Sequence, residues 1–533
     1  MAKRSHTLSP HDLGDVHDDR NHRRSSHPSG KSGFERFLDV VERVGNKVPH
    51  PVVIFVLLIA LVIVLSHVFY MLGASATYQS INADTGEVEE LTTTAQSLLT
   101  ADGFRFMFEG VVQNFMNFNA VGVIIVAMLG VGVAEESGLI KALIHKLVNV
   151  APPAAMTYIL VFIGILSSIA ADAGYLVLIP LAAAAFLSLG RHPLAGLAAS
   201  FAGVAAVFTA NILIKPLDGI LTGITNDAIH LLNPNLSIDL TANFWFSAAS
   251  VLLLTVAVAL ITEKIVEPRL GAYTSNETVV ERSEMTPEET RGLRYSGIAI
   301  FVVLAVFMAL SLPSGAPLRN PDTGDLIGDS PFMNGLIVFI MILFLAAGWA
   351  YGKGAGTMKS TVDVVNAMEK AIRSLASLLF LLFVISQFLA FFNYSNMATL
   401  AAVNLGDWLE EAGLGPLTLL IGFVVVVAVL DLIMTGAIPK WAIFAPVFVP
   451  LLMRLNVDPE AVLAAYRVGD APFNAVTPLN AYFALIVTFA QKYDPKAGVG
   501  TVIALMLPYV IIVFVLWILL LAAWHLFGIP WGL

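Results

Sequence analysis

The chain has 533 residues, 57% of them hydrophobic and 13% charged, with a net charge of −10. With a mean hydropathy of +0.80, this describes a polytopic membrane protein rather than a soluble one. Apolar runs of about 20 residues suit helices crossing a hydrocarbon core of about 30 Å, and their Gly/Ala/Ser-rich faces and helical periodicity exclude a β-barrel. Cysteine is absent, which removes disulfides, thiolate metal sites and a cysteine nucleophile.

Residues 1–33 are polar, rich in His, Asp, Arg and Ser, and lack an apolar core, so they read as a disordered cytoplasmic tail and not as a cleavable signal peptide. Metal binding by His6, His11, His17, His22 and His27 is the alternative use of this tail. Over 34–50, Phe34, Phe37, Leu38, Val41 and Val44 recur at helical spacing between basic residues, which predicts an amphipathic helix on the membrane surface. The N-terminal half, 51–293, carries expected spans at 51–73, 120–134, 194–214 and 244–266. The C-terminal half, 294–533, carries them at 294–312, 333–351, 374–393, 465–490 and 500–527. Between spans, 154–189 and 416–453 each read as a helical hairpin with a polar tip, re-entrant because backbone turning at mid-membrane needs protein or a water-filled cavity around it.

Lys and Arg concentrate in the tail and in 135–153, 264–294 and 352–373, and are scarce or missing in 74–118, 313–332 and 394–415. The bias predicts a cytoplasmic N-terminus and, with nine crossings, a C-terminus outside, Arg454 being the exception. The first hairpin then enters from the cytoplasm and the second from outside. The order span, hairpin, span, span of 120–266 recurs inverted in 374–527, offset by about 260–270 residues, the architecture of alternating access in secondary transporters.

The candidate chemistry lies in the two tips and in the interrupted spans that follow them. The first tip, Ile165 to Tyr175, holds Ser167, Ser168 and Asp172; the second, Asp431 to Trp441, holds Asp431, Thr435, Gly436 and Lys440. The first interrupted span runs through Thr209, Asn211, Lys215, Pro216 and Asp218, and the second through Arg467, Asp470, Pro472, Asn474, Thr477 and Pro478. Gly and Pro there free backbone carbonyls, and new helix N-termini present partial positive charge to an anion. A charge at this depth costs roughly 2.5–3.5 kcal/mol on insertion scales, so each needs a partner or a task.

Arg467 fits a substrate carboxylate, which its planar fork meets bidentately, with Asp470 at i+3 orienting it or carrying protons; the alternative is a structural Arg467–Asp470 pair. Asp218 reads as a proton carrier or as the partner of Lys215. Asp172 and Asp431 are candidate proton-coupling acids. Trp441 could stack on a planar ligand, or serve as packing or an interfacial anchor. No nucleotide-binding loop, hydrolase triad or histidine metal spacing occurs, so no catalytic residue, metal, organic cofactor or nucleic-acid partner is expected.

At these passages the chain resembles the p-aminobenzoyl-glutamate transporter (AbgT) family of the wider ion-transporter superfamily. The resemblance is carried by Val48-Pro49-His50-Pro51, Gly130 to Glu135, Gly190-Arg191-His192-Pro193, Thr262 to Pro268, Ala390 to Asn393, Ala445 to Pro450 and Ala465 to Asp470. It implies an all-α inner-membrane homodimer of nine spans and two hairpins, with a cavity reached from the cytoplasm. It also implies movement of p-aminobenzoyl-glutamate, p-aminobenzoate or related anti-folate sulfonamides on a cation gradient. Asp218, Trp441, Arg467, Asp470 and Pro478 fall on positions that the family pattern uses around its cavity.

Family members resemble Ser-Asn-Thr-Ala-Ser at the first tip, where this chain has Ser167-Ser168-Ile169-Ala170-Ala171, and Gly-Ser-Ala-Ser-Ala at the second, where it has Thr435-Gly436-Ala437-Ile438-Pro439. Lys215 stands where the pattern has Gly. Fewer hydroxyls and an added ammonium argue for proton-coupled or gradient-independent transport instead of sodium coupling. The competing readings are a dicarboxylate or short-chain carboxylate carrier, favoured if Trp441 lies away from the cavity, and a transport-dead membrane sensor.

Overall fold

The computed structural model describes residues 49–81, 88–169, 174–273, 285–327, 330–411, 413–432 and 434–533. The expected tail, nearly all of the expected surface helix and Asp172 lie outside these residues.

Among the described residues eight helices are long and apolar enough to cross a membrane, including Pro51–Met71, Phe244–Leu270, Pro287–Ser311, Leu336–Ala355, Ala376–Tyr394 and Val499–Leu526. The protein is an all-α membrane protein. The expected span 194–214 is the helix Pro193–Phe201 with a π-turn, ending in a break that the helix Pro216–Ile229 follows, and 465–490 is the end of Pro459–Asp470, a break and then Phe483–Gln491. Pro216 starts the helix beyond the first break and Pro472 stands two residues past the end of Pro459–Asp470, where a missing N–H prevents the ladder from continuing.

The first expected hairpin runs from Met156–Leu166 to Ile179–Ser188 and the second from Pro416–Asp431 to Ala437–Arg454, their arms packing on other helices: Ile179–Ser188 on Pro193–Phe201, Pro416–Asp431 on Pro459–Asp470 and Ala437–Arg454 on Pro216–Ile229. Three segments expected as loops are ordered elements. Residues 74–118 hold an antiparallel strand pair, Ser75–Ile81 with Val88–Thr94, and the helix Ala101–Met116. Residues 352–373 and 394–415 hold the helices Thr361–Ser374 and Met397–Glu411. Hydropathy is blind to them because they are short or amphipathic. The helix Thr361–Ser374 is started by a reciprocal cap in which Asp363 accepts from the Ser360 amide at 2.8 Å and Ser360 Oγ accepts from the Asp363 amide at 3.3 Å.

Small residues set the close helix contacts, as expected where lipid supplies no hydrophobic drive. Helix Asn119–Glu136 lies against Leu336–Ala355 at Gly348, where an added Cβ would sit 2.7 Å from Ala134 Cα. Gly348→Leu is expected to destabilise the detergent-solubilised protein by about 1–3 kcal/mol through overpacking, read as a lowered thermal midpoint.

Candidate functional site

Both tips and both breaks converge on one cavity of about 540 Å³. The first half contributes Ser168 and Ile169 from its tip and Phe208 and Pro216 from its break; the second contributes Thr435 and Gly436 from its tip and Asn474 and Asn480 from its break. Across the seam between halves, the rings of Tyr175 and Tyr482 stack at 4.2 Å with a 12° interplanar angle. The wall is mainly apolar, and Glu135 is the charged residue on it among the described residues. Met128, Glu135 and Ser374 also line an adjoining chamber of about 600 Å³ that extends to Lys141 and Lys370.

Each tip is tied to the break of its own half. In the first, Asn211 Nδ2 donates to Ser168 Oγ at 3.0 Å and to the Ile165 carbonyl at 3.4 Å. Lys215 Nζ, 1% exposed, donates to Ser168 Oγ at 3.1 Å and to the Phe208 carbonyl. In the second, Thr477 Oγ1 donates to the Leu432 carbonyl at 3.1 Å and Thr435 Oγ1 to the Leu479 carbonyl at 3.5 Å. Ser167 and Ser168 donate to the Gly164 and Ile165 carbonyls one turn earlier, at 2.7 and 2.8 Å.

The buried charges pair differently from the sequence expectation. Arg467 does not meet Asp470. Its Nη1 donates to Asp218 Oδ1 at 2.6 Å and to the Thr209 carbonyl at 3.1 Å, and Thr209 Oγ1 returns a bond to the Arg467 carbonyl at 2.8 Å. Asp470, three residues on, faces Lys440 at 2.6 Å and the Tyr466 hydroxyl at 2.9 Å. Nor does Lys215 pair with Asp218 through its ammonium: Asp218 Oδ2 accepts the Lys215 backbone N–H at 2.8 Å, capping the helix Pro216–Ile229, while Lys215 Nζ turns to the tip. An i,i+3 spacing that begins at a helix cap favours this backbone bond over a side-chain pair.

The model of the AbgT putative transporter family matches residues 36–533. The chain belongs to the AbgT family. Among curated proteins it is 34% identical over 493 residues to the p-aminobenzoyl-glutamate transport protein of Escherichia coli (strain K12), covering 92% of this chain and 95% of that one. Among solved structures it is similar to the Alcanivorax borkumensis YdaH transporter, described as having an unusual topology. That match has a TM-score of 0.84 at 41% identity, over 91% of this chain and all of that one. It is also similar to Neisseria gonorrhoeae MtrF, described as illuminating a class of antimetabolite efflux pumps, with a TM-score of 0.87 at 40% identity over 92% of this chain and 97% of that one.

In this AbgT chain the remaining candidates divide by their relation to the cavity. Ser168 and Asn474 are on its wall, Asn474 also donating to the Asp470 carbonyl at 2.7 Å. Arg467, Asp218 and Asn211 instead border a separate crevice of about 20 Å³. Trp441 is fully buried away from the wall: its Nε1 donates to Thr225 Oγ1 at 3.0 Å and to the Leu221 carbonyl at 3.1 Å, and its ring lies 4.5 Å from that of Tyr466. Pro478 is half-buried beside Thr477, and Asp431 is fully buried against Lys440.

Sequence reasoning assigned no site role to Lys440, Tyr175, Tyr482 or Glu135, although Tyr175 closes the first tip and Glu135 ends one of the stretches that carry the resemblance. The signal for Lys440 was present, since a lysine inside an apolar hairpin arm requires an acid and Asp431 lies across the turn. The tyrosines carried none, because their stacking joins residues 307 positions apart, and only the folded seam brings them together.

Proposed function

We propose that this transporter carries p-aminobenzoyl-glutamate, p-aminobenzoate or a related aromatic carboxylate by alternating access, with sulfonamide efflux as a form of the same activity. The proposed setting is a bacterial inner membrane, with the N-terminus cytoplasmic and the chain a homodimer. The observation that carries the reading is the cavity of about 540 Å³ into which both tips and both breaks open, a size suited to a small organic ligand. Its apolar wall and the Tyr175–Tyr482 stack suit a planar ring. For the carboxylate, the helix Ala437–Arg454 opens onto the wall at Gly436 and Ala437, and its cap residue, a glycine, has no side chain to cap the first turn. The partial positive charge of that N-terminus favours an anion. The names of the E. coli and N. gonorrhoeae relatives agree with such cargo.

The buried Trp441 favours a second reading within transport, a dicarboxylate or short-chain carboxylate carrier that needs no aromatic platform.

The coupling ion proposed is the proton. Lys215 Nζ holds the Phe208 carbonyl and Ser168 hydroxyl, neutral oxygens of the kind a sodium ion would take. Uptake and efflux of labelled p-aminobenzoyl-glutamate and p-aminobenzoate in proteoliposomes, with sodium and pH gradients imposed separately, test both points. Movement driven by the pH gradient and unchanged when choline replaces sodium is the expected result. A sodium requirement unaffected by Lys215→Gly would overturn the coupling, and no movement of either compound would turn the search to the shorter carboxylates.

A further inference from the structure

Lys440 is the fourth residue of the second hairpin arm and is 1% exposed. Its ammonium contacts Asp431 Oδ1 and, at 2.6 Å, Asp470 Oδ1. Asp431 and Asp470 are both fully buried, and the second oxygen of each, Oδ2, meets no donor among the described residues. The Tyr466 hydroxyl reaches Asp470 Oδ1 at 2.9 Å and the Ala437 carbonyl, so its single proton is divided between two acceptors. The next charges are the Arg467–Asp218 pair, closed on itself at 2.6 Å, and Lys215, held at the first tip.

With every group ionised, two carboxylates and one ammonium leave a charge of minus one inside the protein, where uncompensated charge is driven to neutralise. One proton removes the excess charge and one of the two unpartnered acceptors. It brings the trio to neutrality and converts an unpartnered acceptor oxygen into a hydroxyl. We propose that Asp431 and Asp470 share one exchangeable proton over Lys440, and that it is the proton coupled to transport; the second clause rests on the carrier reading above.

The geometry gives this proton a route to movement. Asp431 ends the first arm of the second hairpin, Lys440 begins the other beyond a turn at Gly436 with φ of +105°, and Asp470 ends the helix before the second break. Binding a proton weakens the hold of Lys440 on one carboxylate, and so the hold of the hairpin on the break; release restores it. Asn474 joins this trio to the cargo, because it stands on the cavity wall and bonds the Asp470 carbonyl at 2.7 Å.

Infrared difference spectra of the purified protein in lipid nanodiscs, recorded between low and high pH, read the proton without any substrate. The carbonyl stretch of a buried carboxylic acid is expected at low pH and lost at high pH. Asp431→Asn and Asp470→Asn should each abolish it, because the remaining carboxylate is then balanced by Lys440. Lys440→Met should strengthen it, both acids becoming neutral. If the Asn variants do not fold, Asp431→Glu, which keeps the acid, should shift the band. A missing band, or one unmoved by these changes, overturns the shared proton.

In proteoliposomes, the factor by which a pH gradient accelerates p-aminobenzoate uptake over counterflow exchange should fall to one in Asp431→Asn; an unchanged factor overturns the coupling. If the unaltered protein moves no p-aminobenzoate, it is the proposed cargo that fails, and the infrared band still decides the proton.

Discussion

Replacing Arg467 by alanine is expected to abolish transport and to destabilise the protein by about 3–5 kcal/mol, the usual effect of removing one member of a buried ion pair. The loss is large because Asp218, its carboxylate only 11% exposed, would keep its charge without the guanidinium 2.6 Å away. The Thr209 carbonyl would lose a donor in the same step. Arg467→Lys should recover part of the stability, since an ammonium supplies the charge but, on a different stem, does not place a donor where Nη1 meets both Asp218 Oδ1 and the Thr209 carbonyl. Combining Arg467→Met with Asp218→Leu should recover only part of the thermal midpoint, because it removes both charges but also the Asp218 cap on the Lys215 N–H, and should not restore transport. Thermal melts in detergent beside p-aminobenzoate uptake separate the two effects. A midpoint unmoved by Arg467→Ala would show that this pair does not hold the breaks of the two halves together.

A loss of about 3–5 kcal/mol is also expected for Trp441→Ala, here from the cavity left by a fully buried aromatic side chain. The informative variant is Trp441→Phe. It keeps most of the packing against Tyr466 and removes the indole donor. Thr225 Oγ1 already donates to the Leu221 carbonyl at 2.7 Å, so the exposed deficit is small and the cost should be about 1 kcal/mol. The KM for p-aminobenzoate should be unchanged in this variant. A raised KM at an unaltered thermal midpoint would return Trp441 to the substrate and demand a conformation in which its ring reaches the cavity.

Much of the architecture was legible because it follows from local rules. Proline and charge inside apolar runs marked the tips and the breaks, and the fold brings Ser168, Asn474, Thr435 and Gly436 onto one wall. What could not be read was pairing. Arg467 and Asp470 lie three residues apart, and their nearness in sequence suggested a pair, yet the turn between them sends one side chain toward the first half and the other toward the second hairpin. The partners, Asp218 and Lys440, come from distant segments, and no spacing rule links them. Amphipathic and strand elements such as Thr361–Ser374 and Ser75–Ile81 escaped for another reason: they bury too little apolar surface to register in hydropathy.

The cavity wall and the buried charges behind it are different residues. Among the described residues, and apart from Glu135, the wall is neutral, while Arg467 with Asp218, and Lys440 with Asp431 and Asp470, are paired behind it. Change at Thr435, Asn480 or Tyr482 can therefore alter what is accepted without disturbing the ion pairs. The separation lets the lining of the cavity be altered by substitution while the charged pairs behind it stay intact.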